Sequence, residues 1–197
     1  MARHGTVTFL EDKDALRSVD KDFRKLVEIL HQIPFCASFG VSCSGHFYEN
    51  DEKSKWSPNS FNPSPWGHLN IVVLPTIPHI QELLNLMKKL TGSCADATFK
   101  KIEHVFGPPK GSALEVWEIR VGDNGRLGGS QEEALVGAYF PKDSNEQLYR
   151  DSRERCEEIR LFWDALATQL VILCEEHGFN EPAIGKRTEE ILSAWDG

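Results

Sequence analysis

Val41-Ser42-Cys43-Ser44-Gly45-His46 gathers a thiol, two hydroxyls, a glycine and an imidazole between apolar flanks, and His68 opens another apolar run downstream. Three chemistries use such residues. A divalent ion such as zinc accepts thiolate and imidazole ligands, but a structural site wants four ligands and a catalytic site three plus water. Cys43, His46 and His68 supply that set only if they converge, and no metal is expected. A thiol nucleophile needs a histidine within hydrogen-bond reach and an orienting third group; Asn70 and Asp51 are the candidates for that group. The third reading asks for the least geometry. Ser42, Ser44 and the backbone N–H groups around Gly45 form a cradle for a carboxylate, phosphate or nucleoside group, with Trp66 stacking and His68 at its edge. Ser42, Ser44, Gly45, His46, Trp66 and His68 are therefore the expected ligand-binding residues, and no catalytic residue is assigned. The bland alternative makes Cys43 a small buried apolar residue and His46 an exposed strand residue.

The elements around this segment follow from periodicity. From Ser38 to Tyr48 the alternation is that of a half-buried strand, which places Cys43 and His46 on opposite faces unless Gly45 interrupts it. Residues 49–66 hold Trp56, Phe61, Trp66 and several prolines without a period, which predicts an aromatic lid. His68 to Leu74 resumes as a strand antiparallel to the first. Upstream, Thr6 to Leu10 is a short strand candidate, and Leu16, Val19, Phe23, Leu26 and Leu30 lie on one helical stripe that must end by Ile33, before Pro34. Pro78 opens a helix carrying Ile80, Leu83, Leu84, Met87 and Leu90, with Gly92 as its expected cap. Phe99 to Phe106 and Ala113 to Val121 form a further strand pair. Gly122 to Gly129 is a loop, and Ser130 to Phe140 fits a capped helix or a strand.

A capping box at Ser144-x-x-Gln147 opens a helix of about 30 residues, or roughly 45–50 Å. Its buried stripe is Cys156, Ile159, Trp163, Leu166, Leu170 and Leu173, and its arginines at 150, 153, 155 and 160 belong to a solvated face. A short helix through Ile184, Ile191 and Trp195 ends the chain. The fold class is α+β: a mainly antiparallel sheet with helices packed on one face and a helical C-terminal third. Residues 1–141 form the core domain, and 142–197 a helical segment packed on it.

Composition bounds the function. In 197 residues the net charge is -8, which argues against broad nucleic-acid binding, since that needs clustered Lys and Arg. The five cysteines sit at irregular spacing, a poor disulfide framework that points to reduced thiols and a cytoplasmic setting. Met1 to Leu10 lacks the apolar run of a secretion signal, and no run approaches the roughly 18 apolar residues of a membrane span. The leading expectation is a cytoplasmic protein binding a small-molecule or nucleotide-like ligand beside residues 42–46. The alternative is a regulatory or interaction protein that self-associates or binds partners through its long C-terminal helix.

Phe9, Lys13 and Asp20, an amphipathic helix, Ser42-Cys43-Ser44-Gly45-His46, a tryptophan-containing loop and a histidine before the next helix together resemble the small methyltransferases of tRNA wybutosine synthesis. That family carries Ser-Ser-Cys-Ser-Gly-Arg after its N-terminal helix; here Val41 stands for the first serine and His46 for the arginine. The resemblance covers about the first ninety residues. It implies an S-adenosylmethionine-dependent methyltransferase, with Ser42 to His46, Trp66 and His68 corresponding to the ligand-binding region.

Overall fold

The computed structural model describes residues 21–38, 43–50, 57–103, 108, 111–122, 139–180 and 184–195. Their order is α1 (Lys21–Leu30), β1 (Cys36–Ser38), β2 (His46–Glu49), β3 (Ser60–Ser64), β4 (Gly67–Val73), α2 (Pro78–Gly92), β5 (Ala97–Ile102), β6 (Glu115–Val121), β7 (Phe140–Pro141), α3 (Glu146–His177) and α4 (Ile184–Trp195). The class is α+β. One antiparallel sheet runs β1-β4-β6-β5 and a smaller one β2-β3-β7.

Strand β4 is central, and all but His68 of its residues are buried, so both faces of this strand must be covered. On the first face Leu69, Ile71 and Val73 meet Phe23, Leu26 and Leu30 of α1, Ile80, Leu83 and Met87 of α2, and Ile159, Trp163, Leu166 and Leu170 of α3 in one core cluster. Each of these side chains contributes about 1.5–3 kcal/mol through burial, which is why α3 belongs to the core. The predicted α3 stripe is buried from Cys156 to Leu173.

The second face of the sheet is covered over its apolar row. There α4 packs Ile191 against Ala37, Val72, Leu114 and Val116. Both parities of β4 are apolar near Val72, and that half of the sheet needs a cover on each side.

Local chemistry explains the ends. Pro78 occupies the first turn of α2, where no N–H is needed. The cap of α2 is Ser93 rather than Gly92: its N–H and hydroxyl both reach Leu90 O. The box at Ser144 does not form. Asn145 is the first flanking residue of α3, and its amide donates to Pro141 O. Gly178 ends α3 in the left-handed region at φ 69°, with Phe179 N–H on Cys174 O at 2.8 Å.

The lid expected over 49–66 is corrected. Ser60–Ser64 is a fully buried strand, and Phe61 packs on Phe47, Phe140 and Tyr149 at centroid distances of 5.5, 5.7 and 5.2 Å. Pro63 and the presence of only one large apolar side chain, Phe61, concealed it. Thr6 to Leu10, Leu16, Val19, Trp56, the loop from residue 123 and the open choice at 130–138 lie outside the described residues. Among the described residues no helix is long and apolar enough to cross a membrane.

Candidate functional site

The segment from Cys43 to Glu49 leaves one sheet and enters the other. Cys43 N–H donates to His68 O at 2.9 Å and His68 N–H to Cys43 O at 2.8 Å, a single antiparallel bridge that places the two side chains on the same face. Ser44 is buried, its hydroxyl donates to Gly45 O, and its own carbonyl accepts the Trp163 indole N–H at 2.9 Å. Gly45 then turns at φ 75°, where a side chain would meet Trp66 O and Ile159 Cγ2 at 3.2 Å. The continuous alternation from Ser38 to Tyr48 is therefore broken. With Gly45 left-handed, the Cys43 Sγ and His46 Nδ1 atoms come to 3.9 Å instead of facing apart.

Beyond the turn lies a groove of about 1020 Å³, at the upper end for small-molecule sites. Gly45 to Glu49 form one wall, and the outer face of α3 from Tyr149 to Arg160 forms the other. Asn50 N–H donates to Ser60 O, and by strand alternation the Phe47 and Glu49 backbone groups turn away from β3. Pro63, opposite Phe47, offers no N–H on that side. His46 and Tyr48 supply aromatic surface, their rings 4.3 Å apart and Tyr48 exposed.

The charges along the groove are held differently. Arg150 pairs with Glu146, and Arg160 with Glu157 at 2.5 Å and Asp164 at 2.8 Å, as a solvated helix face should. Arg153 instead donates to the Tyr149 hydroxyl at 3.2 Å and has no carboxylate partner among the described residues. Tyr149 in turn donates to Glu49, which Lys142 approaches at 3.6 Å. The phenol and these cations hold the Glu49 carboxyl below its ordinary value, and the carboxylate raises the Tyr149 phenol. The chain of contacts positions Arg153 from below.

Cys156 closes the groove floor. Its Sγ lies 3.3 Å from His46 O and 3.7 Å from Ser64 O, and burial pushes the thiol up to about 12. The unfolded thiol ionises near 9. Because the folded value is raised, the contribution is present below pH 9 and is lost as pH climbs toward 12. Unfolding free energy should fall across that window at about 1.4 kcal/mol per pH unit for this one proton. Urea titrations of wild type and Cys156→Ala from pH 8 to 11 measure it; a variant with an undiminished slope would show that other groups carry the effect.

The expected site residues are thus divided. Gly45 and His46 line the groove. Ser44 lies beneath it, and Ser42 is outside the described residues. Trp66 and His68 stack on each other at 5.1 Å, His68 on the second face of the central sheet beside Cys43. On that face Arg120 stands opposite His68, and Asn70 opposite Glu118. No group of three metal-ligating side chains occurs among the described residues. Sequence reasoning placed Arg153 on a solvated helix face and made no reading of Tyr149. Compared with protein-family models, curated proteins and solved structures, the chain matches none, so the site is read from its own residues.

Proposed function

We propose that the protein binds a small nucleotide-like molecule in the groove between Gly45–Glu49 and α3. The observation that carries this reading is Arg153, a guanidinium that bonds the Tyr149 hydroxyl, lines the groove and, among the described residues, has no carboxylate within ion-pair distance. A charged donor held in place with open hydrogen-bonding capacity suits a phosphate or carboxylate. His46 and Tyr48 suit a base, and Glu154 and Glu157 suit ribose hydroxyls.

S-adenosylmethionine enters through the resemblance to the wybutosine methyltransferases. Its adenine, ribose and zwitterionic end ask for an aromatic surface, carboxylates and a guanidinium, and His46, Tyr48, Glu154, Glu157 and Arg153 fit that set. When bound, it supplies a transferable methyl group; the proposal of methyl transfer rests on the resemblance. A cytoplasmic setting is supported by cysteines that remain thiols.

Calorimetric titration with S-adenosylmethionine, ATP and AMP tests the reading. Arg153→Ala should weaken the ligand that binds by about 10- to 100-fold, the worth of a hydrogen bond to a charged group, while stability moves by under about 0.5 kcal/mol. Saturable binding by none of the three would sink it. A second reading, an interaction protein, has one observation in its favour: Leu161 and Ile172 are exposed on the same side of α3, about three turns apart. Sedimentation of the same samples separates the two.

A further inference from the structure

Strand β2 lies at the edge of the smaller sheet, with β3 on one side and the groove on the other. Antiparallel pairing turns alternate residues toward and away from the neighbouring strand. The Asn50 N–H bond to Ser60 O, at 2.9 Å, fixes the phase. His46 and Tyr48, opposite Ser64 and Asn62, turn their backbone groups to β3, and Phe47 and Glu49 present theirs to the groove. Pro63 agrees with that phase, because it stands opposite Phe47, where the ladder to β3 needs no N–H. No strand among the described residues pairs with this edge, and an open edge is a template for another strand. The edge of the larger sheet at β5 is guarded: it carries Lys100 and Lys101, held by Glu118 and Glu115, and lysines on an edge discourage pairing. Along β2 the side chains of Phe47 and Glu49 lie toward α3, Phe47 edge-on to the Tyr149 ring at 5.3 Å and Glu49 bonded to its hydroxyl. Residues of an added strand directly opposite them project the same way, onto the wall formed by Tyr149, Arg150, Arg153 and Glu154. Arg150 is engaged by Glu146, whereas Arg153 has no carboxylate partner among the described residues.

We propose that the groove also takes an extended peptide segment, which adds to β2 as an antiparallel strand and turns an acidic side chain toward Arg153. The open edge is about 13 Å long at 3.4 Å per residue, so about four peptide residues lie along it. The two residues opposite Phe47 and Glu49 each exchange a pair of N–H···O bonds with β2. Those backbone bonds supply affinity whatever the peptide sequence, and the alternate side chains supply selectivity. On the α3 side the carboxylate of the peptide meets the guanidinium of Arg153 in a charge-assisted hydrogen bond. The proposal goes beyond the nucleotide reading. Both ligands use Arg153 and compete for the groove, but only a peptide uses the backbone edge of Phe47 and Glu49.

The experiment titrates the full chain by calorimetry with the capped pentapeptide acetyl-Val-Thr-Glu-Thr-Val-amide and three relatives of it. One relative carries Lys in place of the central Glu; the other two are N-methylated at a single amide, either that of the Glu or that of the Thr after it. With its side chain toward α3, the Glu turns its N–H to β2, and the next Thr turns its N–H away. The parent peptide should bind saturably, and Arg153→Ala should weaken it about 10- to 100-fold, the worth of a hydrogen bond to a charged group. The Lys peptide should bind at least about 10-fold more weakly than the parent. N-methylation at the Glu should abolish binding, and N-methylation at the Thr should leave affinity within about 3-fold. No saturable binding of the parent, equal affinities of the two N-methylated peptides, or a Lys peptide as tight as the parent overturns the proposal without recourse to any variant. Binding that Arg153→Ala leaves unchanged places the strand on another edge and overturns it too. The nucleotide reading fails by a different result: peptide binding with these signatures, together with no binding of S-adenosylmethionine, ATP or AMP, removes that reading and supports this one.

Discussion

Trp163→Ala should cost about 3–5 kcal/mol, the range for truncating a large buried aromatic. Trp163 is 3% exposed, and its ring meets Phe23 edge-on at 4.9 Å and Phe162 at 5.0 Å. Its indole N–H also donates to Ser44 O. The fit is tight on the other side as well: a side chain at Gly67 would lie 2.9 Å from the same indole nitrogen. Alanine removes the packing and leaves the Ser44 carbonyl without its donor. Trp163→Phe separates the two terms, because it keeps most of the ring contact and loses only the hydrogen bond, about 1–2 kcal/mol. Urea unfolding at unchanged m-value measures both. A Trp163→Ala variant within about 1 kcal/mol of wild type would show that the core closes without it. The consequence for function is direct: Ser44 is tied to α3 through this bond, and Gly45, which begins the groove wall, follows it. Ligand affinity in Trp163→Phe should therefore drop, although the side chain touches no ligand.

That linkage shows where sequence reasoning succeeds and where it stops. The stripe from Cys156 to Leu173 was legible because a 3.6-residue period survives any tertiary arrangement that buries one helix face. Strands β4 and β6 were legible for the same reason at period two. Strand β3 was not, since its alternation of Ser60, Asn62 and Ser64 with Phe61 and Pro63 carries only one large apolar side chain and a proline, and its burial comes from α3 and from the aromatic contacts of Phe61. The candidate segment was found by its residue types, and the role of Gly45 as a break was foreseeable from glycine alone. Which face each side chain takes was not, because that depends on the Cys43–His68 bridge, a contact between distant parts of the chain. The same holds for Arg153 and Arg155. They look alike on a helical wheel; one faces the groove beside Tyr149, and the other is buried against the end of α2 and β5.

Arg155 carries the second large effect. Its guanidinium lies 2.8 Å from the Asp96 carboxylate, both side chains only 10% exposed, and it also bonds Glu158 at 2.5 Å. Removing one partner from a buried ion pair leaves a charge without compensation, at about 3–5 kcal/mol. Asp96→Ala should fall at the lower end, about 3 kcal/mol, because the half-exposed Glu158 still faces the cation. Joint replacement, Asp96→Leu with Arg155→Met, should recover most of that loss, since neither desolvated charge then remains. A double-mutant cycle in urea reads the coupling. A value under about 1 kcal/mol would place the pair with surface ion pairs, which contribute little. The position of the pair explains why it matters beyond stability. Asp96 stands in the turn between α2 and β5, and its carbonyl accepts the Gly122 N–H at 2.9 Å. Gly122 is pressed against the chain at Pro65 and Trp66, where an added Cβ would come within 2.5 Å of Pro65 O. The pair thus ties the N-terminal half of α3, which carries Arg153, to the sheet end that carries Trp66 and His68. Loosening it should weaken ligand binding in the groove by shifting α3, whereas Arg153→Ala weakens it at the contact itself.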